Sequence, residues 1–234
     1  MEFVTNSGNN TYAFVAFIAQ LLVNEKGHLR SRDEQALAQD LDGSPEAGEY
    51  VFVPDTNDTS FTECPGPEGK HMKRALPTDD DGASSASHSS RSSMNQTRFR
   101  ELLMMRDGGD YFSRQPGPLC VAANLVPQSR PDLYKDLLDD DYQFDVSHGL
   151  FMDSILHTQY DHYKWSIYFH QNRYYFHAFD ATAPYIKSQH GKSFSTTDVR
   201  YLAPPDPILC SWHYRQCVLK YVRAYSVGMA VNAF

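Results

Sequence analysis

The sequence predicts an α+β protein, and three observations carry that assignment. Segments with apolar residues at helical spacing are interspersed with short segments rich in Tyr, Phe and Ile that alternate with a period of two. The chain has 15 Tyr and 14 Phe and is 41% hydrophobic, enough to build a core from 234 residues. Near residue 95 the composition changes sharply, from Ser- and Asp-rich to periodic. That change predicts an N-terminal accessory region over 1–54, a disordered acidic and Ser-rich linker over 55–95, a folded domain over 96–225 and a tail over 226–234.

Taken in order, Tyr12 to Val23 is apolar but too short to cross a bilayer, and it lacks the basic residues that open a signal peptide. A short buried helix or strand suits it. Asp33 to Leu41 predicts a short amphipathic helix, and Glu49 to Val53 a strand stopped by Pro54. Pro65, Pro67, Pro77, the run Asp79-Asp80-Asp81 and the Ser-rich stretch Ala83 to Ser93 make the linker. From Thr97 onward, Phe99, Leu102, Leu103 and Arg106 sit at helical spacing, and Gly108-Gly109 ends the helix. Leu119 to Val126 is β-compatible and is stopped by Pro127. Pro131 and Asp132 open a short helix to Leu138. Gly149 to Tyr160 has near-helical spacing and predicts one helix. Trp165–Phe169 and Arg173–Phe179 predict a hairpin around Gln171-Asn172. After Pro204, Pro205 and Pro207, a last helix is expected over Leu209 to Tyr225.

Charge narrows the function classes. Net charge is −8, but residues 96–234 carry 14 Lys+Arg and 14 Asp+Glu, so the acidic excess lies upstream. The folded part neither repels a phosphate backbone strongly nor attracts one by a basic surplus. The four cysteines, Cys64, Cys120, Cys210 and Cys217, lack C-x₂-C spacing, which argues against a zinc ribbon. Read as buried or free thiols, they suit a reducing compartment. With no signal peptide or membrane span in view, an intracellular location, cytoplasm or nucleus, is expected, with no membrane partner.

A series of motifs then carries a resemblance. Phe99 to Gly108 reads FRELLMMRDG, Ala122 to Pro127 reads AANLVP, and Asp132 to Tyr134 reads DLY. His148 to Asp161 reads HGLFMDSILHTQYD. WSIYF at Trp165–Phe169, YYFHAF at Tyr174–Phe179 and LCSWHYRQCVL at Leu209–Leu219 follow. In order and spacing, over about 97–223, this resembles the HNH nuclease domain proteins of filamentous and mushroom-forming fungi. The resemblance implies an HNH-like ββα-metal core, a hairpin plus helix around one ion, with flanking helices and an additional β-hairpin. It implies a divalent metal (Mg²⁺, Mn²⁺ or Zn²⁺) as cofactor, DNA as partner and phosphodiester hydrolysis as the activity.

The departures lie at the signature positions. The family's strand His, its base, aligns with Asn124, and its middle Asn, which ties a loop, aligns with His148. The metal-binding His is retained as His157. The strand cysteine of the family has no counterpart in Gly109 to Arg114. Asn124 either bonds a neighbouring loop or takes a chemical role. His148 is either a helix N-cap substitute or buried hydrogen-bonding residue, or else a metal ligand or relocated base. His157 is either a core histidine or the metal ligand, with Asp161 as a carboxylate that orients it. His148 and His157 are expected to face one another closely enough to share a metal or a water. An amide cannot accept a proton near neutral pH. Two functional readings therefore stand, a metal-dependent endonuclease with weakened or lost hydrolysis and a non-catalytic HNH-like module that binds nucleic acid or a protein, beside a purely structural descendant with no ligand.

Overall fold

The computed structural model describes residues 11–23, 25–31, 43–44, 50–55, 85–139, 142–180, 182–198 and 202–222, with backbone alone for 31 and 85–93. The helix expected over Asp33–Leu41, Cys64, most of the expected linker and the C-terminal tail lie outside the described residues. The chain forms two units, one of Met1–Pro67 with Val218–Phe234, the other Glu68–Cys217.

In the first unit, α1 (Tyr12–Leu22) is capped by Thr11, whose Oγ1 accepts from the Phe14 amide at 3.2 Å. β1 (Gly27–Ser31) and β2 (Tyr50–Pro54) pair antiparallel. Gln20 closes the turn between α1 and β1, bonding both the Glu25 carbonyl and the Gly27 amide.

The second unit is mixed α and β. Its elements are α2 (Ser85–Asp107), β3 (Cys120–Asn124), α3 (Pro131–Leu138), β4 (Gly149–Asp153), α4 (Ser154–Asp161), β5 (Trp165–His170), β6 (Arg173–Ala178), α5 (Pro184–Lys187) and β7 (Ser193–Ser195). α6 (Pro207–Tyr221) opens here, and its residues from Val218 belong to the first unit. α2 begins at Ser85, so residues 85–95 of the stretch expected to be linker are helical.

β3 and β4 pair antiparallel, with Asn124 opposite Gly149 and Cys120 opposite Asp153. β5, β6 and β7 form a second sheet in that order. Gln171 and Asn172 connect β5 to β6 with φ of 47° and 59°. This is the left-handed pair that a two-residue turn needs to match strand twist.

The expected helix over Gly149–Tyr160 is corrected. Residues 149–153 are strand β4, and the helix starts at Ser154. Every residue of β4 is buried. A strand covered on both faces loses its period-two signature and cannot be told from a buried helix by pattern. Phe151 packs with Phe99, Leu103, Cys120 and Val146 against α2, while Leu150 and Met152 join the larger core with Leu156, Trp165 and Phe176. Asp153 makes the switch to helix, since its Oδ1 accepts from the Ile155 and Leu156 amides at 2.8 and 3.1 Å. Gly149 cannot carry a side chain, because a Cβ there would strike the Phe99 ring and the Ala123 carbonyl.

Arg106 and Asp107 pin these layers. Their side chains are wholly buried, with Nε 2.6 Å from Oδ1. Arg106 also donates to the carbonyls of Val146 (2.6 Å), Gly149 (2.7 Å) and Ala203 (3.0 Å). Asp107 Oδ2 accepts from the Phe151 amide at 2.9 Å.

At the other end of α4, His213 of α6 lies flat on Tyr160, ring centroids 3.5 Å apart. Its Nε2 is 3.1 Å from the Tyr160 carbonyl, and its Nδ1 is 2.8 Å from Ser166 Oγ. A carbonyl only accepts, so Nε2 carries the hydrogen and Nδ1 accepts from the serine. The ring is neutral, and burial lowers its pKa from 6.5 to about 3. Burial, with His190 beside it, lowers His177 to about 3 as well. Unfolded, both would bind protons near 6.5. Their contribution to stability is therefore complete above pH 6.5 and declines as pH falls from there toward 3. The expected slope reaches about 1.4 kcal/mol per pH unit for each histidine. Urea unfolding at pH 7 and pH 5 measures it, and His213→Gln should make the dependence visibly shallower.

Candidate functional site

β3 ends and α4 begins on either side of one cleft. Asn124 is the last residue of β3, and His157 lies in the first turn of α4. α4 is set against β3 by Tyr160, whose hydroxyl donates to the Leu125 carbonyl at 3.1 Å, and against β5 by Trp165, whose Nε1 donates to the Leu156 carbonyl at 2.8 Å. α2 forms the third wall. The resulting cavity, of about 670 Å³, is lined by Gln96 and Arg100 of α2, Asn124, Gln128, His157, Asp161 and His213, with apolar contributions from Phe99, Leu125 and Tyr160.

Asn124 is held on both sides of its amide. Nδ2 donates to the Gln143 carbonyl at 3.0 Å, and Oδ1 accepts from Gln128 Nε2, also at 3.0 Å. Gln96 Nε2 reaches Gln128 Oε1 at 3.5 Å, at the outer limit of such a bond. The hydroxyl of Tyr134 lies 3.5 Å from Asn124 Nδ2 and itself donates to the Val126 carbonyl at 2.6 Å. These bonds fix which end of the amide points where. Asn124 thus ties the segment around Gln143 to the end of β3.

His157 faces the cleft with Nε2 3.6 Å from Asp161 Oδ2, one helical turn on. The histidine side chain is about a third exposed, at 29%. Asp161 sits where it can orient the ring.

His148 is elsewhere. It closes the short turn Val146–His148 ahead of β4 and is 4% exposed. Its ring lies 5.3 Å from that of Tyr134, and its Nδ1 is buried with no hydrogen-bond partner. It is not among the residues lining the cavity that Asn124 and His157 share. The expected helix over Gly149–Tyr160 would have put His148 at the entry to the helix that carries His157, but strand β4 lies between His148 and that helix.

Among the described residues, no group of three or more His, Cys, Asp and Glu side chains is placed to hold a metal ion. Of the two imidazoles lining the cleft, His213 has both ring nitrogens engaged, which leaves His157 beside one carboxylate. Two such donors fall short of the closed four-ligand shell of structural zinc. Cys120, Cys210 and Cys217 are buried thiols, and burial raises the thiol pKa of Cys120 and Cys210. They are inert packing residues.

Sequence reasoning missed Arg100 and Gln128. Arg100 follows Phe99 in the motif that identified α2, and Gln128 follows the Pro127 that stops β3. Neither position carries a local signal for a cavity wall, which arises only when α2 crosses the end of the strand pair.

No protein-family model, no curated protein and no solved structure matches this chain.

The amide arrangement has a measurable consequence. Asn124→Ala should cost about 1–3 kcal/mol in chemical denaturation, because the Gln143 carbonyl loses its donor. Asn124→Asp should cost more than Asn124→Ala, since it turns a carboxylate oxygen toward that same carbonyl. An aspartate variant as stable as the wild type would contradict the assigned amide orientation.

Proposed function

We propose that residues 96–225 form an HNH-like ββα module that engages nucleic acid, with DNA as the partner, and in which metal-dependent phosphodiester hydrolysis is weak or absent. One observation carries the reading. The antiparallel pair β3–β4 runs directly into α4, and the residue ending β3 meets a histidine of α4 at one cleft. This is the order of parts that the motif series implies, a strand-borne residue and a helix-borne histidine on either side of a phosphate site.

The roles follow from the side chains. A divalent ion bound there would polarise the scissile phosphodiester and stabilise the leaving oxygen. His157, oriented by Asp161, is the residue that would hold it. Asn124 stands where a proton acceptor is needed, and its amide is already committed to Gln143 and Gln128. General-base catalysis contributes about 10²–10⁴-fold, and this cleft forgoes it. Of the two readings of the sequence, the committed amide favours the one without catalysis.

The residue exchange also has a structural logic. In the resemblance, the middle Asn ties the loop and the strand His acts as base. Here Asn124 does the tying, while His148 is buried out of the cleft. Reversing one position alone would remove the tie without replacing it. The decisive variant is therefore the double exchange, Asn124→His with His148→Asn. In a plasmid-nicking assay with Mg²⁺, Mn²⁺ and Zn²⁺, the unmodified chain should nick slowly or not at all. The double variant should gain metal-dependent nicking on the order of 10²-fold, and His157→Ala in that background should remove it. Robust nicking by the unmodified chain, abolished by His148→Ala, would mean that the base has moved to residue 148 and that the reading of Asn124 is wrong.

A further inference from the structure

We infer that Arg100 anchors a backbone phosphate of the bound nucleic acid at this cleft, as a positioning contact separate from the reacting group; the inference rests on the nucleic-acid reading above. Two other arginines of the unit are neutralised where they stand. Arg106 is saturated by Asp107 and three carbonyls, and Arg130 is held 2.6 Å from Asp132. Arg100 has no carboxylate partner among the described residues. It is nonetheless held in place. One Nη donates to the Cys120 carbonyl at 3.0 Å, and the guanidinium lies over the Phe151 ring at 5.0 Å from its centroid.

The guanidinium therefore has no carboxylate to cancel its charge among the described residues, is tethered at one Nη and lines the cleft with the rest of its N–H groups unassigned. Those are the properties that suit an arginine to phosphate oxygens. Across the cleft the one carboxylate, Asp161, lies beside His157. Gln128 and Gln96 add amide donors along the same wall. Because residues 96–234 have equal numbers of basic and acidic side chains, no general field attracts a polyanion. A phosphate contact here depends on single cations that lack a counter-ion.

The test is fluorescence anisotropy of a labelled 20-base-pair DNA duplex across a salt series, using the full chain, Arg100→Gln, Arg100→Lys and Arg98→Gln, an exposed arginine of α2 outside the cleft lining. Arg100→Gln should weaken binding about tenfold and make the slope of log K against log salt shallower by about 1. Arg100→Lys should recover the slope, since it keeps the charge, and Arg98→Gln should leave both unchanged. A merely structural arginine would lower the melting temperature without moving the salt slope. Wild-type binding that Arg100→Gln leaves unchanged in affinity and slope would overturn the anchor while the nucleic-acid reading stands. No binding of the duplex by the wild type would overturn that reading and the anchor with it. Millimolar inorganic phosphate that binds through Arg100, with no duplex binding, would assign the site to free phosphate and overturn the proposal.

Discussion

The buried pair Arg106–Asp107 is the constraint on which the second unit depends. Two charges with fully buried side chains are stable only when each hydrogen-bonding group is met, and here they are. Arg106 gives its remaining donors to three carbonyls from two segments, Val146 and Gly149 of one and Ala203 of the other, and Asp107 receives the Phe151 amide. Two adjacent residues at the end of α2 thereby fix the turn before β4, the strand itself and the approach to α6. Breaking such a pair by deleting one partner typically costs about 3–5 kcal/mol, because the other charge is left buried. The geometry of the cleft is downstream of this pair. β4 sets the register of β3 and so the position of Asn124, and β4 leads into α4 and so places His157.

That dependence explains what the sequence could and could not reveal. The helix through Phe99, Leu103 and Arg106 was legible because one face of it is buried and the other is wet. The β5–β6 hairpin was legible because its strands alternate and Gln171-Asn172 can take left-handed conformations. β4 was not legible, since five consecutive buried residues carry no period. The error propagated: reading Gly149–Tyr160 as one helix put His148 at the entry of the helix that carries His157. The N-cap Asp153 was the local signal that could have divided the segment. α5 and β7 are too short for any periodic signature.

Within the candidate site, Asn124, His157 and Asp161 were found through the motif series, and they line one cavity. Arg100 and Gln128 could not be found that way, since they reach the cleft through the crossing of α2 over the strand pair. Nor could the sequence say what Asn124 does. The structure makes it a brace: its amide joins the end of β3 to the Gln143 segment, and Gln128 locks its orientation. His148 is buried against Tyr134 with Nδ1 unpartnered. On the nucleic-acid reading proposed above, a rigid amide in place of a base and an arginine without a carboxylate partner among the described residues would favour holding a phosphodiester over cleaving it.

The central claim, that residue 124 is a structural brace and not a free group in the cleft, is tested most directly by the side-chain amide hydrogens of Asn124. In nitrogen-15 NMR with hydrogen exchange, one Nδ2 proton should be protected well beyond solvent-exposed asparagine amides, through its bond to the Gln143 carbonyl. The Gln128→Ala variant should leave that protection largely in place, since Gln128 bonds the oxygen of Asn124. Exchange of both Nδ2 protons at the rate of a free asparagine would contradict the account.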